Sequence, residues 1–187
     1  MKIAVVGGGA AGMMAAIQAS GEDVVLLEKN EKLGKKLYIT GKGRCNVTNA
    51  CSEQQLLENI PRNARFMYSA FNTLSSQELC AMVEGLGTPL KTERGGRVFP
   101  VSDHSSDVIK AFAKGLTQCG VKVKLNTAVT DIAVKDGKIC GVQTGGGFIE
   151  CDRVILACGG CSYPQTGSDG GGFALARRLG HTVTPLY

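Results

Sequence analysis

In its first 28 residues the chain sets a short apolar run, Ile3-Ala4-Val5-Val6, directly against a glycine cluster, Gly7-Gly8-Gly9-Ala10-Ala11-Gly12, and follows it with a second apolar run that ends in Glu28. A continuous run without polar alternation is what a parallel strand buried on both faces requires. The small residues Ala11, Ala15, Ala16 and Ala19 predict a helix from Ala10 to Ser20 packed closely on a sheet, with Gly21 as its stop. Asp23 to Glu28 predicts the second strand, and the three elements make a βαβ unit with a right-handed crossover. Its glycines satisfy GxGxxG at the strand-to-helix turn. Gly7 permits the tight turn, Gly9 lets a pyrophosphate approach the backbone, and Gly12 lets the helix pack on the strand. The helix N-terminus offers free N–H groups and the positive end of its dipole to phosphate. Glycine-rich turns also arise for structural reasons, so the motif gains its weight from Glu28. An acid at that strand end can accept both ribose hydroxyls and repels a 2′-phosphate. An adenine dinucleotide is expected, with NADP disfavoured and both NAD and FAD compatible.

The 187 residues suit one domain with one substantial core. With 43% hydrophobic and 20% charged residues, neither disorder nor a fibrous chain is suggested. The net charge of +5 includes a local cluster of Lys35, Lys36, Lys42 and Arg44, which suits a phosphate-bearing ligand or RNA. The opening apolar run is too short for a signal h-region, and no stretch approaches the roughly 18 apolar residues of a membrane span. These features read as a cytoplasmic protein without membrane partners. In that reducing setting the 8 cysteines are expected as buried hydrophobes. A zinc site is disfavoured, since only Cys158 and Cys161 form a CxxC pair and there are 2 histidines.

Asn30 to Cys51 shows no period and reads as a long functional loop with at most a helical turn. Helices are predicted at Ser52–Asn59, Ala64–Leu74 and Ser75–Leu86, the last opening on the capping-box spacing Ser75…Glu78. A strand at Arg97–Pro100 precedes an amphipathic helix over Asp103–Cys119, with Val108, Ile109, Phe112 and Leu116 on one face, and then a strand at Val121–Leu125. Ala128–Val134, Lys138–Thr144 and Gly147–Glu150 alternate, punctuated by Asp136-Gly137 and Gly145-Gly146, and predict a small antiparallel meander. Arg153–Ala157 returns to a continuous apolar strand. A glycine-rich loop over Cys158–Gly172 leads to a last helix at Phe173–Leu179. The fold class is α/β: a Rossmann-like domain with a parallel sheet and a small meander.

Three features favour FAD over NAD. The first is the long loop after the second strand. The second is the meander followed by Leu156-Ala157-Cys158-Gly159-Gly160, which resembles the ATG-type segment of two-dinucleotide-fold flavoproteins. The third lies in three stretches: Gly34-Lys35-Lys36-Leu37 through Thr40-Gly41-Lys42-Gly43-Arg44-Cys45-Asn46-Val47-Thr48-Asn49, then Gly96-Arg97-Val98-Phe99-Pro100, and then Cys158 through Gly170. Together they resemble the bacterial BaiN/YhiN-like flavoproteins, also labelled aminoacetone oxidase family or NAD(P)/FAD-dependent oxidoreductases, over the whole chain. That resemblance implies that Gly7, Gly9, Ala11 and Gly12 hold the pyrophosphate, Glu28 the ribose, and the Val129 backbone the adenine. It places Thr40, Gly41, Arg44, Cys45 and Asn46 along the flavin and ribityl side, and adds Lys29, Lys36, Cys158 and Gly159 to the FAD-binding set. Family members are longer, so the resemblance also implies a single FAD-binding domain, 1–187, incomplete at its C-terminus. The inserted substrate domain and return strand would then come from a missing C-terminal half or a second chain.

The cysteine pairs Cys158/Cys161 and Cys45/Cys51 are candidates for thiol exchange with a flavin, but both read better as structural. His104 and His181 lie at helix ends and read as surface or capping residues. No residue is assigned as a catalytic acid or base. The resemblance implies an FAD-dependent oxidoreductase, reduced by NAD(P)H, that acts on an unsaturated C–C or C–N bond of a steroid-like small molecule or of a uridine in ribosomal RNA. A flavin-linked thiol–disulfide reductase and a catalytically silent dinucleotide-binding fragment are the alternatives.

Overall fold

The computed structural model describes residues 1–186. The chain opens with strand β1 (Lys2–Val6), helix α1 (Ala10–Gln18) and strand β2 (Asp23–Leu27). A 3-10 segment at Leu37–Gly43 leads to strand β3 (Thr48–Asn49) and helix α2 (Glu53–Glu58). A 3-10 turn at Ala64–Met67 precedes helices α3 (Tyr68–Thr73) and α4 (Ser76–Gly85). Next come strands β4 (Leu90–Thr92) and β5 (Arg97–Pro100), helix α5 (Ser105–Gln118) and strand β6 (Lys122–Lys124). Strands β7 (Val129–Lys135), β8 (Lys138–Thr144), β9 (Gly147–Glu150) and β10 (Arg153–Leu156) follow. A 3-10 turn at Pro164–Thr166 and helix α6 (Gly171–Arg178) complete the described chain. Two compact units result: one is Tyr38–Phe112, and the other combines Met1–Leu37 with the chain from Ala113 onward.

In the unit that holds both termini, a parallel sheet runs in the order β10-β1-β2-β6. Val5 pairs with Leu26 on one side and Ile155 on the other. Being flanked on both edges and covered by α1 explains why β1 is apolar from Ile3 to Val6: Ala4 and Val5 are fully buried, as are Met13 and Ala16 of α1. The meander β7-β8-β9 is antiparallel and alternates, because only one of its faces meets the core. Ile132 and Val142 supply that face and pack with Ala4, Leu27, Cys151 and Leu175. Burying a Val, Leu or Ile side chain of this cluster contributes about 1.5–3 kcal/mol.

The Tyr38–Phe112 unit carries a second antiparallel sheet, β3-β5-β4. Val98 and Phe99 of β5 are each 2% exposed, and Val83 of α4 is fully buried. The expected capping box holds: the Glu78 N–H donates to Ser75 Oγ at 3.1 Å while Glu78 Oε2 accepts the Ser75 N–H at 2.7 Å. Ser52 and Gln55 form a second box at the start of α2.

Several boundaries differ from the sequence reading for identifiable reasons. Strands β3 and β4 are too short to show a period and owe their strand state to pairing with β5. The helix expected over Ala64–Leu74 is split into a 3-10 turn and α3, entered through Asn63 in the left-handed region. Asp103 does not begin α5. Its backbone is left-handed (φ 58) and its carboxylate is taken up by Lys91 and Arg44. The last helix starts earlier than expected, at Gly171, because the left-handed Gly170 turns the chain into it.

Candidate dinucleotide site

Gly7, Gly9 and Gly12 form the turn from β1 into α1. Gly7 has φ 113, and a Cβ there would come within 2.4 Å of the Ala157 carbonyl oxygen. At Gly12 a Cβ would come within 1.8 Å of the Gly7 carbonyl oxygen, so the helix and strand touch at backbone level. Around Gly9, by contrast, a Cβ would meet nothing within 4 Å. Sequence logic therefore carries into geometry: two glycines are required by packing and one leaves open space beside the helix start. No side chain caps α1, and its first-turn N–H groups, including those of the exposed Ala10 and Ala11, have no partner within the helix. This arrangement suits a pyrophosphate.

Glu28 follows β2 and is 7% exposed. Its Oε2 accepts the Gly8 N–H at 2.6 Å, and its Oε1 accepts the Asn30 N–H at 2.8 Å and Asn30 Nδ2 at 2.6 Å. A carboxylate has about four acceptor positions, so about one is left for a hydroxyl unless the Asn30 side chain swings away. The acid thus serves first to brace the glycine turn. Thr127 donates its N–H to the Glu28 carbonyl at 2.8 Å, which brings Val129, two residues on, to the end of β2. A bulge between Val129 and Asp131 interrupts the ladder there.

Lys29 and Lys36 have protein partners. Lys29 Nζ pairs with Asp169 Oδ2 at 2.7 Å, and Lys36 Nζ donates to Ser162 Oγ at 3.1 Å. Asn30 Nδ2 also reaches the Thr166 carbonyl at 3.4 Å. These three contacts strap the loop after β10 to the loop after β2. The Lys29 ammonium holds the Asp169 carboxyl below its ordinary range, helped by the Gly171 N–H. Cys158 and Gly159 begin that loop. Ala157 continues the pairing of β10 by donating to the Val6 carbonyl, and Cys158 Sγ lies 3.5 Å from the same oxygen.

Thr40, Gly41, Arg44, Cys45 and Asn46 belong to the other unit, where they form one left-handed loop. Gly41 (φ 56), Lys42 (φ 58), Gly43 (φ 88) and Cys45 (φ 63) all lie in the left-handed region. For Lys42 and Cys45 that conformation costs about 1–2 kcal/mol each. The loop is tied down on every side. The Cys45 N–H donates to the Thr40 carbonyl at 3.0 Å, and Asn46 Nδ2 donates to the carbonyls of Thr48 and Val98 at 2.7 and 3.2 Å. Arg44, expected beside a flavin, pairs with Glu93 at 2.9 Å and Asp103 at 3.2 Å, and its guanidinium carbon lies 4.0 Å from the Phe99 ring centroid. Glu93 foremost, with Asp103, raises the guanidinium pKa further. Lys91 completes the network through Asp103 at 2.6 Å.

All eight cysteines are free thiols. Burial pushes the Cys45 and Cys158 thiols above their ordinary range, the opposite of what an attacking thiolate needs. Among the described residues no group of three or more His, Cys, Asp or Glu side chains could hold a metal ion. No helix among them is long and apolar enough to cross a membrane. His104 and His181 are both exposed. Sequence reasoning assigned no role to Asn30, Glu93, Phe99, Asp103, Ser162 or Asp169, although Phe99, Ser162 and Asp169 lie within the motif stretches. Asn30 was discoverable from its place two residues past the strand-end acid. The others became partners only through folding.

The sequence profile of the HI0933-like protein Rossmann domain matches residues 1–186. The chain is 39% identical over 191 residues to a 3-dehydro-bile acid delta(4,6)-reductase of Clostridium scindens, an alignment covering 99% of this chain and 45% of that protein. It is 27% identical over 183 residues to the ribosomal RNA dihydrouridine synthase of Escherichia coli, covering 97% and 45%. The chain therefore spans about half the length of the curated relatives it matches. Among solved structures, a 3-ketosteroid-delta4-(5alpha)-dehydrogenase from Rhodococcus jostii superposes with a TM-score of 0.70 at 17% identity, covering 96% of this chain and 54% of that one. Mycobacterium smegmatis Sdh1 gives a TM-score of 0.70 at 21% identity, covering 95% and 38%. At these identities the structures share the fold. The family match, spanning the glycine turn, the strand-end acid and the left-handed loop alike, shows that the chain belongs to the HI0933-like Rossmann family, the BaiN/YhiN-like flavoproteins.

Proposed function

We propose that the chain is the FAD-binding part of an NAD(P)H-dependent oxidoreductase that reduces an unsaturated carbon–carbon bond in a small, steroid-like molecule. The observation that carries this reading is the glycine turn braced by Glu28: open space at Gly9, free N–H groups at the start of α1, and a buried carboxylate beside them. Those groups fit the pyrophosphate and ribose of an adenine dinucleotide. In this reading Glu28 orients the ribose, the Val129 backbone meets the adenine, and the loop Thr40–Asn46 presents backbone to the flavin side. Asn46, Cys45 and Arg44 hold that loop in shape. Bound FAD would supply a hydride-accepting ring nitrogen. Both units are taken as parts of one FAD-binding domain.

The substrate class follows the relative with 39% identity, a bile acid reductase by name. The ribosomal RNA reading is less favoured because the basic cluster is largely engaged within the protein: Lys35 pairs with Glu31, Lys36 with Ser162, and Arg44 with Glu93 and Asp103. The raised thiol pKa values of Cys158 and Cys45 disfavour the disulfide reductase. The test is spectroscopic. The purified protein should be yellow or take up FAD with quenching of its fluorescence, and anaerobic NAD(P)H should bleach the flavin band. Reoxidation by an unsaturated 3-oxo steroid, and none by ribosomal RNA, supports the substrate assignment; the reverse transfers it to RNA. A colourless protein that takes up no FAD overturns the reading for this chain.

A further inference from the structure

Asn30 stands two residues past the strand-end acid and holds one of its oxygens twice over. Its N–H donates to Glu28 Oε1 at 2.8 Å, and its Nδ2 donates to the same oxygen at 2.6 Å. The other oxygen, Oε2, accepts the Gly8 N–H at 2.6 Å. Two donors fill the acceptor positions of Oε1, whereas Oε2 keeps about one of its two. Opening Oε1 to a ligand therefore requires the Asn30 amide to turn away, and its surroundings oppose that. Gly167 (φ 100) packs directly on the amide: a Cβ there would come within 2.7 Å of Asn30 Nδ2 and 3.2 Å of Lys29 Cε. The Thr166 carbonyl lies 3.4 Å from Nδ2, and Lys35 Nζ lies 3.4 Å from Asn30 Oδ1. The backbone is fixed as well, since the Asn30 carbonyl accepts the Asn126 N–H at 2.9 Å. The loop that carries Gly167 is pinned in turn by the Lys29–Asp169 pair at 2.7 Å. Moving the amide off Glu28 thus requires that loop to shift too.

We infer that Asn30 is a positioning residue of the dinucleotide site: wedged between Glu28 and Gly167, its amide occupies Oε1 so that the acid accepts one hydroxyl of the adenosine ribose and not both. The inference rests on the reading of Glu28 as the ribose acid. It adds a restriction that the acid alone does not impose, since an unoccupied strand-end carboxylate has acceptors for both hydroxyls. A hydroxyl that the site gives no partner can be removed from the ligand at little loss of affinity, whereas the one that is bonded cannot.

Fluorescence titration with FAD and with its adenosine 2′-deoxy and 3′-deoxy forms reads this directly. Wild type should bind one deoxy form within about twofold of FAD and the other about tenfold more weakly, the loss of one hydrogen bond to a charged acceptor. Asn30→Ala opens Oε1, so both deoxy forms should then bind about tenfold more weakly than FAD. Each comparison is made within one protein, so a general loss of stability in the variant moves all three ligands together and leaves the ratios unchanged. If Asn30→Ala does not fold, the wild-type ratio decides alone. Equal losses for the two deoxy forms in wild type, no loss for either, or a one-sided pattern that survives Asn30→Ala would overturn the inference while FAD binding stands. No FAD uptake by wild type would overturn the functional reading and this inference with it.

Discussion

Two glycine-bearing segments, one in each compact unit, are held by opposite means. In the turn Gly7–Gly12 the constraint is steric, set by backbone: the Ala157 carbonyl at the end of the strand beside β1 at Gly7, and the Gly7 carbonyl itself at Gly12. The Cβ sites of Gly7 and Gly12 are filled by neighbouring backbone, so no other residue type is accommodated there. In the loop Gly41–Cys45, glycine alternates with side chains that have no intrinsic preference for the left-handed region, and Lys42 and Cys45 adopt it all the same. That loop is held by tethers from elsewhere: Arg44 to Glu93 and Asp103, Asn46 to Val98, and Phe99 packed against Gly41. A segment held by backbone packed against glycine is insensitive to side-chain changes elsewhere, whereas one held by side-chain tethers can be released by a single substitution at a distance.

The comparison breaks most sharply at Gly12. Gly12→Val drives a branched side chain into the Gly7 carbonyl and should cost about 3 kcal/mol, read as a lower urea midpoint together with loss of FAD uptake. If Gly12→Val unfolds like wild type, the steric account of the turn is wrong. Next in size is Glu28→Gln. It retains one acceptor oxygen where three donors now converge, and should weaken FAD binding about tenfold in a fluorescence titration with the fold intact. An unchanged affinity would leave Glu28 as a brace only.

Arg44 separates tether from ligand. Arg44→Met should lower Tm and increase proteolysis within Lys42–Asn46, and Arg44→Lys should recover part of both. If Arg44 instead touches the flavin, the Met variant shifts the flavin midpoint potential and leaves Tm in place. A smaller effect of opposite sign is expected at Lys42. Lys42→Gly relieves the left-handed side chain and should raise stability by up to about 1 kcal/mol, unless the loop relaxes to another shape.

The smallest effect is a pH dependence at the strap. Asp169 is held below the ordinary carboxylate range by Lys29, so its contribution is present above that range and is lost as the pH falls through the depressed value. The Tm difference between wild type and Asp169→Asn should therefore be present at neutral pH and close on acidification. A difference that persists in acid would mean that the Gly171 N–H, and not the ion pair, sets the role of Asp169.

How legible each part was follows from the range of the forces involved. The strand β1, the glycine turn and α1 could be read because their determinants are neighbours in sequence: an apolar run, three glycines and a row of alanines. The capping box at Ser75 was legible for the same reason, three residues apart. The meander announced itself through alternation and tight turns. Strands β3 and β4 were not legible, since a strand of two or three residues exists only by virtue of its partner. The family resemblance implies Arg44 as a contact on the flavin side. Its partners within the protein lie 49 and 59 residues away, and no local pattern reports them.

The sequence by itself therefore determined the βαβ opening and the dinucleotide signature, because sterics and periodicity act over a few residues, and it carried the family through the resemblance of its motif stretches. Only the tertiary structure decided what Glu28, Lys29, Lys36 and Arg44 touch. Charged groups find their partners across the fold, where chain separation carries no information about distance in space.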